Sequence, residues 1–215
     1  MSTLDHYIAH ILSSLIIVFR NFIFLMFSPY KTMRKIAKET DYGQPIIIFL
    51  IAIGYFCYAQ IVRQRTLHPL IFASSALISI VMFGITFVLV TKFFYFLYRR
   101  RTFQGAHEVT YKPFVFTFAY SLLPTLIWFY ATSTLYYVLP PPRTTSFLGK
   151  GFSLTFVTFS VTLLLWRIIL AYLSVRFSAK ASFYKVVASL VLFAMWILPY
   201  SYFMYQLRIF RIPFI

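Results

Sequence analysis

Acidic side chains are nearly missing, with only 4 Asp or Glu among 215 residues against 20 Lys or Arg, a formal net charge of +16. The four are Asp5, Glu39, Asp41 and Glu108, and none stands inside an apolar run. Proton-coupled carriers place Asp, Glu or His at depth in the bilayer, and magnesium-dependent lipid enzymes cluster carboxylates at its edge, because protons and hard cations demand them. Neither arrangement can be assembled here, so no catalytic residue is expected and the chain reads as a non-enzyme. Charged residues of either sign make up 11% of the chain, too few to coat a soluble domain of this length. Cysteine is single. Cys57 stands within an apolar run, which excludes an internal disulfide and argues against a thiolate metal site. Period-two alternation is also missing, which removes barrel strands from consideration.

What is present is apolar. Hydrophobic residues are 61% of the chain, against roughly 45–50% in ordinary soluble domains, and the mean hydropathy is +0.81. A hydrocarbon core about 30 Å thick takes roughly 20 apolar residues per helix, and the runs Gln44–Val62, Pro69–Leu97, Pro113–Leu139, Phe152–Val175 and Val186–Gln206 each meet that length. Helices are the way such runs satisfy their backbone in lipid. The expected fold is therefore all-α, a bundle of transmembrane helices forming residues 44–215, preceded by an interfacial amphipathic region over residues 1–43.

The N-terminal region is the hardest to place. Tyr7–Phe27 is apolar but carries His10, Ser13, Ser14, Arg20 and Asn21, so it reads as a helix lying in the membrane plane, with a sixth span as the alternative. Asp5 and His6 occupy positions where a signal peptide would be basic, and no cleaved leader is expected. Ser28 as N-cap and Pro29 as first helical residue start a second helix. Lys31, Arg34, Lys35 and Lys38 share one of its faces, Tyr30, Met33, Ile36 and Ala37 the other, and Gly43 can end it. Such a helix can lie on the membrane and gain about 1 kcal/mol per basic residue beside anionic headgroups. Simple obedience to the positive-inside rule predicts the same placement.

The joints set the orientation. Lys31, Arg34, Lys35 and Lys38 precede the first span, Arg99, Arg100, Arg101 and Lys112 follow the second, and Arg176, Lys180 and Lys185 follow the fourth. The opposite joints hold fewer, namely Arg63, Arg65, Arg143, Lys150, Arg208 and Arg211. The bias puts the N-terminus inside and the C-terminus outside. The same placement accounts for the basic excess without nucleic acid, which is not an expected partner. Anionic lipids are, and other membrane proteins can be; a homo-oligomer is neither required nor excluded by the pattern.

Few residues remain that could do chemistry. His6 and His10 share a helix face, but no third ligand completes a metal site. Gly149-Lys150-Gly151 lacks the rest of a phosphate-binding loop and reads as a turn. The 27 Phe and 17 Tyr suit lipid contact, helix packing and interfacial belts, with no axial-ligand pattern and so no expected cofactor. Pro124 and Pro199 stand inside spans and should kink them. Lys92 can snorkel toward Arg99. Arg167 is deeper and has no acid in any span, which leaves carbonyls, hydroxyls or a lipid headgroup as its partners.

Three stretches carry a family resemblance: Phe27-Ser28-Pro29-Tyr30-Lys31-Thr32-Met33-Arg34-Lys35-Ile36, then Asp41-Tyr42-Gly43-Gln44-Pro45, then Tyr120-Ser121-Leu122-Leu123-Pro124. In order and spacing these resemble the Yip-domain membrane proteins, named for Ypt/Rab-interacting proteins, whose eukaryotic members carry an Asp-Leu-Tyr-Gly-Pro motif and a Gly-Tyr-Ser-Leu-Leu-Pro element. Ala119 stands where that element has glycine, and the long hydrophilic N-terminal segment of the eukaryotic members is missing. The resemblance implies five spans from about Phe27 to Gln206 with the N-terminus inside. It also implies a non-enzymatic scaffold or adaptor in a prokaryotic cytoplasmic membrane rather than early secretory membranes. A small-molecule or lipid transporter is the alternative.

Overall fold

Each apolar run becomes one helix or one broken helix, because in the absence of water only intrahelical bonds can satisfy its peptide groups. The computed structural model describes residues 3–63, 69–99, 109–138 and 147–207. Its helices are α1 (Thr3–Phe27), α2 (Pro29–Ile36), α3 (Gly43–Arg63), α4 (Pro69–Arg99), α5 (Lys112–Ser121), α6 (Leu123–Val138), α7 (Phe147–Ala179) and α8 (Phe183–Gln206). There is no strand among the described residues. Five helical stretches, α5 and α6 together making one of them, are long and apolar enough to cross a membrane, and the apolar part of α1, Ile11–Phe27, is shorter. The all-α fold with five candidate spans is as expected.

The boundaries shift in ways that have physical causes. α7 has 33 residues, about 50 Å at roughly 1.5 Å per residue, which exceeds a hydrocarbon core of about 30 Å. It begins at Phe147, so Gly149-Lys150-Gly151, expected as a turn, lies in its first turns, with Lys150 exposed. The third span is divided at one residue, Leu122, whose backbone stays in the right-handed helical region at φ −75° and ψ −19°. Pro124 has no N–H to offer the Tyr120 carbonyl. The Leu122 N–H reaches back only as far as the Ala119 carbonyl at 3.1 Å. α8 runs through Pro199 without a break.

The entry to the bundle also differs from expectation. Ser28 precedes α2 but does not cap it; its hydroxyl turns back toward the Phe24 carbonyl at 3.4 Å. Gly43 does not close the amphipathic helix, which ends at Ile36, but opens α3. The apolar side of α2 is not spread on lipid either, since Met33 and Ile36 are each 0% exposed and belong to the same buried cluster as Phe94, Phe114 and Leu170.

Alpha-helical packing in lipid draws little on hydrophobicity, and interhelical hydrogen bonds take over part of the task. Tyr98 on α4 donates to Ser189 on α8 at 2.9 Å, and Trp128 on α6 donates to Ser160 on α7 at 2.8 Å. The Thr117 and Ser178 hydroxyls join α5 to α7 at 2.9 Å. Rings fill the remaining space, as where Phe49 on α3 meets Phe87 on α4 edge-on at 4.7 Å.

At the α7–α8 corner Lys180 adopts φ 50°, a left-handed conformation that costs an L side chain roughly 1 kcal/mol or more and glycine almost nothing. Lys180→Gly should therefore stabilise the fold by about 0.5–1 kcal/mol after the loss to unfolded-chain entropy, read as a higher midpoint in SDS-titration unfolding.

Candidate functional sites: a polar clasp, a basic end and a cavity around Arg167

α1 turns two of its polar residues inward and leaves Ser13 and Arg20 exposed. Ser14 and Asn21 are buried, while Ile11, Leu12, Ile16 and Phe19 are exposed, a pattern suited to hydrocarbon outside and protein within. The inward residues meet a polar clasp at the start of α3. Ser14 donates to Asp41 Oδ2 at 2.6 Å, and the Gly43 N–H donates to Asp41 Oδ1 at 2.9 Å. Deeper in, the Tyr120 hydroxyl donates to Gln44 Oε1 at 2.7 Å and accepts from Asn21 Nδ2 at 3.1 Å. Gln44 Nε2 reaches toward Glu39 at 3.4 Å. Tyr120, Gln44 and Asn21 are each buried, so every group in this chain of bonds depends on the others.

The clasp unites residues that the sequence singled out separately. Asp41, Gly43 and Tyr120 are parts of it, and Pro45 and Pro124 are buried in the first turns of α3 and α6. Tyr42 is exposed and lies outside it, edge-on to Phe116 at 5.4 Å with the Lys112 ammonium over its ring at 4.7 Å. Gln44, Ser14 and Asn21 were not foreseen as its members. The available signal was that long polar side chains in apolar surroundings need partners.

Basic residues collect at one end of the bundle. Lys31, Arg34, Lys35 and Lys38 are exposed on and just after α2, as are Arg99, Lys180 and Lys185. Contacts between elements bring their helix ends together. Tyr98 near the end of α4 donates to the Lys185 carbonyl at the start of α8, and Lys112 at the start of α5 donates to the Thr40 carbonyl at 3.2 Å. Arg176 near the end of α7 lies 5.5 Å from the Tyr30 ring of α2 and donates to Tyr172 at 2.8 Å. Arg100, Arg101, Arg65, Arg143, Arg208 and Arg211 lie outside the described residues, as do the side chains of Arg63, His6 and His10. Lys92 is exposed on α4.

Arg167 stands elsewhere, on the wall of a cavity of about 400 Å³ lined by α3, α4, α5, α6, α7 and α8. Arg167 is partly buried, and no hydrogen bond or ion pair holds its guanidinium among the described residues. The lining is otherwise mostly aromatic and aliphatic, with the polar groups Gln60, Ser79, Thr86, Ser121 and Thr125 interspersed. The sequence isolated Arg167 as a lone deep cation, and the fold adds the space beside it.

No family model, no curated protein and no solved structure matches this chain. Among the described residues no three of His, Cys, Asp and Glu gather as a metal site would require.

Proposed function

We propose that this multi-spanning membrane protein is a non-catalytic scaffold that organises anionic lipids, and through them neighbouring membrane proteins, around the basic end of its bundle. The observation that carries the reading is the way α2 is mounted. Its apolar residues Met33 and Ile36 are consumed by the protein core, which holds Lys31, Arg34 and Lys35 outward on a fixed helix, with Lys38 exposed just beyond. A basic face fixed in this way loses no folding entropy on meeting headgroups, unlike a helix that must order on the membrane. In this reading the N-terminus and the basic end face the cytoplasm, in a prokaryotic cytoplasmic membrane. We read the chain as a Yip-domain type on the order and spacing of its three motifs.

Replacing Lys31, Arg34, Lys35 and Lys38 together by Gln should remove about 1 kcal/mol of attraction per residue. The lipid copurifying in mild detergent would then lose most of its anionic enrichment while the bundle unfolds at an unchanged SDS concentration. An unaltered lipid profile would remove the basis of the proposal. Crosslinking in native membranes should also recover discrete protein partners that the Gln variant fails to recover.

A carrier is the second reading, favoured by the cavity beside Arg167 and by the divided helix at Leu122 on its wall. It predicts substrate flux in proteoliposomes that stops when Arg167 is replaced.

A further inference from the structure

The cavity can be assigned a ligand independently of the basic end. We propose that it binds one long-chain carboxylate, a fatty acid anion, with the carboxylate on Arg167 and the hydrocarbon chain along the aromatic wall.

Charge comes first. A guanidinium presents five N–H donors and cannot shed its charge, and at membrane depth it needs an oxyanion or a set of acceptors. Arg167 has neither a hydrogen bond nor an ion pair among the described residues, and no acid lies in any span. The lining contains no second cation. A single positive charge balances a carboxylate, whereas a phosphomonoester would bring close to two negative charges into the same apolar space. Carboxylate also matches the planar guanidinium fork, which can bind both oxygens at once.

The wall hydroxyls add no second anchor. Thr125 lines the cavity, but its hydroxyl oxygen is wholly buried, with no hydrogen-bond partner among the described residues, and presents no surface to a ligand. The carboxylate therefore rests on Arg167 alone. Thr132, the other buried hydroxyl without a partner among the described residues, does not line the cavity.

Size and access complete the argument. About 400 Å³ lies within the range of pockets for one small molecule, about 300–1,000 Å³, and corresponds to roughly a dozen waters at about 30 Å³ each. One acyl chain is of that order and two are not. Phe83, Phe87, Phe129 and Phe193 supply an apolar wall for it. On the α7 side, Leu164 and Ile168 line the cavity yet are 54% and 53% exposed, so the space is not sealed on that side. In a bilayer, an amphiphile could enter there without passing through water.

The test is binding of palmitate to the purified protein in nanodiscs of neutral lipid, measured beside hexadecanol and lysophosphatidate. Wild type should bind one palmitate per chain, and Arg167→Gln should weaken it roughly ten-fold or more, as loss of a charge-assisted bond requires. Arg167→Lys should recover part of the affinity. Ala194→Trp fills the cavity while leaving the charge in place, and should also abolish binding. The proposal fails if hexadecanol binds wild type as well as palmitate does, if lysophosphatidate binds more tightly than palmitate, or if Ala194→Trp binds normally. Should Arg167→Gln not fold, a photoactivatable palmitate on wild type must label cavity-lining residues of α4 or α7; labelling confined to other surfaces overturns the assignment. The Gln variant of the α2 face should bind palmitate as wild type does, so this site and the basic-end scaffold stand or fall separately.

Discussion

Adding a single methyl at Gly43 is expected to destabilise the protein by about 1–3 kcal/mol, the usual cost of overpacking a filled interior. Gly43 is the first residue of α3. A Cβ there would run into the Ser14 hydroxyl and would lie 3.0 Å from Ser14 Cβ and 3.0 Å from Asp41 Oδ1. The hydroxyl could swing aside, but it would then forfeit its 2.6 Å bond to Asp41, and the Ser14 Cβ has nowhere to rotate. Against this stands the gain of replacing glycine in a helix, about 0.5–1 kcal/mol, which is the smaller quantity. Gly43→Ala should therefore lower the SDS-titration midpoint and expose the α1–α2 junction to protease, with Gly43→Val worse. Ser14→Gly in the Gly43→Ala background should restore part of the loss, giving a coupling of about 1–2 kcal/mol in the double-mutant cycle. A coupling near zero would mean that α1 does not rest on this point.

The spans were legible because roughly 20 residues of hydrocarbon-compatible sequence leave the backbone only one option. Their ends were less so, as α7 shows: Gly149 and Gly151 read as turn residues, yet a helix already committed by Phe152–Val175 continues through them. The division at Leu122 was half legible. Pro124 announces a missing donor, but whether a helix bends or parts depends on what packs around the freed carbonyl, and that is a tertiary matter. Arg167 could be isolated from sequence because an acid-free set of spans offers it no counter-ion. The cavity beside it could not, since its walls come from six helices. The clasp shows the same limit. Ser14 and Asp41 are 27 positions apart, Gln44 and Tyr120 are 76 apart, and Asn21 and Tyr120 are 99 apart. No local periodicity encodes those pairings. The motif residues at positions 41, 43 and 120 were each visible, but nothing local marks Ser14 and Asn21, among the polar residues of α1, as the two that turn into the protein.

Tyr120→Phe is expected to be the most costly conservative change in the bundle, at about 2–3 kcal/mol, because one oxygen serves two buried partners. Its removal leaves Asn21 Nδ2 without an acceptor and Gln44 Oε1 without a donor. Hydrogen bonds between membrane helices average only about 0.6 kcal/mol and reach about 1.7, since a lipid-exposed unfolded state finds replacements. The clasp should lie above that average for a structural reason: Asn21, Gln44 and Tyr120 come from three separate elements, all buried, and none can turn to water or to a neighbour when the hydroxyl goes. Comparison with Thr86→Val provides the control, because Thr86 bonds its own helix carbonyl and Tyr200 from a partly buried position and should lose under about 1 kcal/mol. Pairing Asn21→Leu with Tyr120→Phe removes donor and acceptor together, which is less harmful than stranding one of them. The double variant should consequently be no less stable than Tyr120→Phe alone. If instead the two losses simply add, the Asn21 bond is incidental, and α1 is held by the packing of Val18 and Leu25 rather than by the clasp.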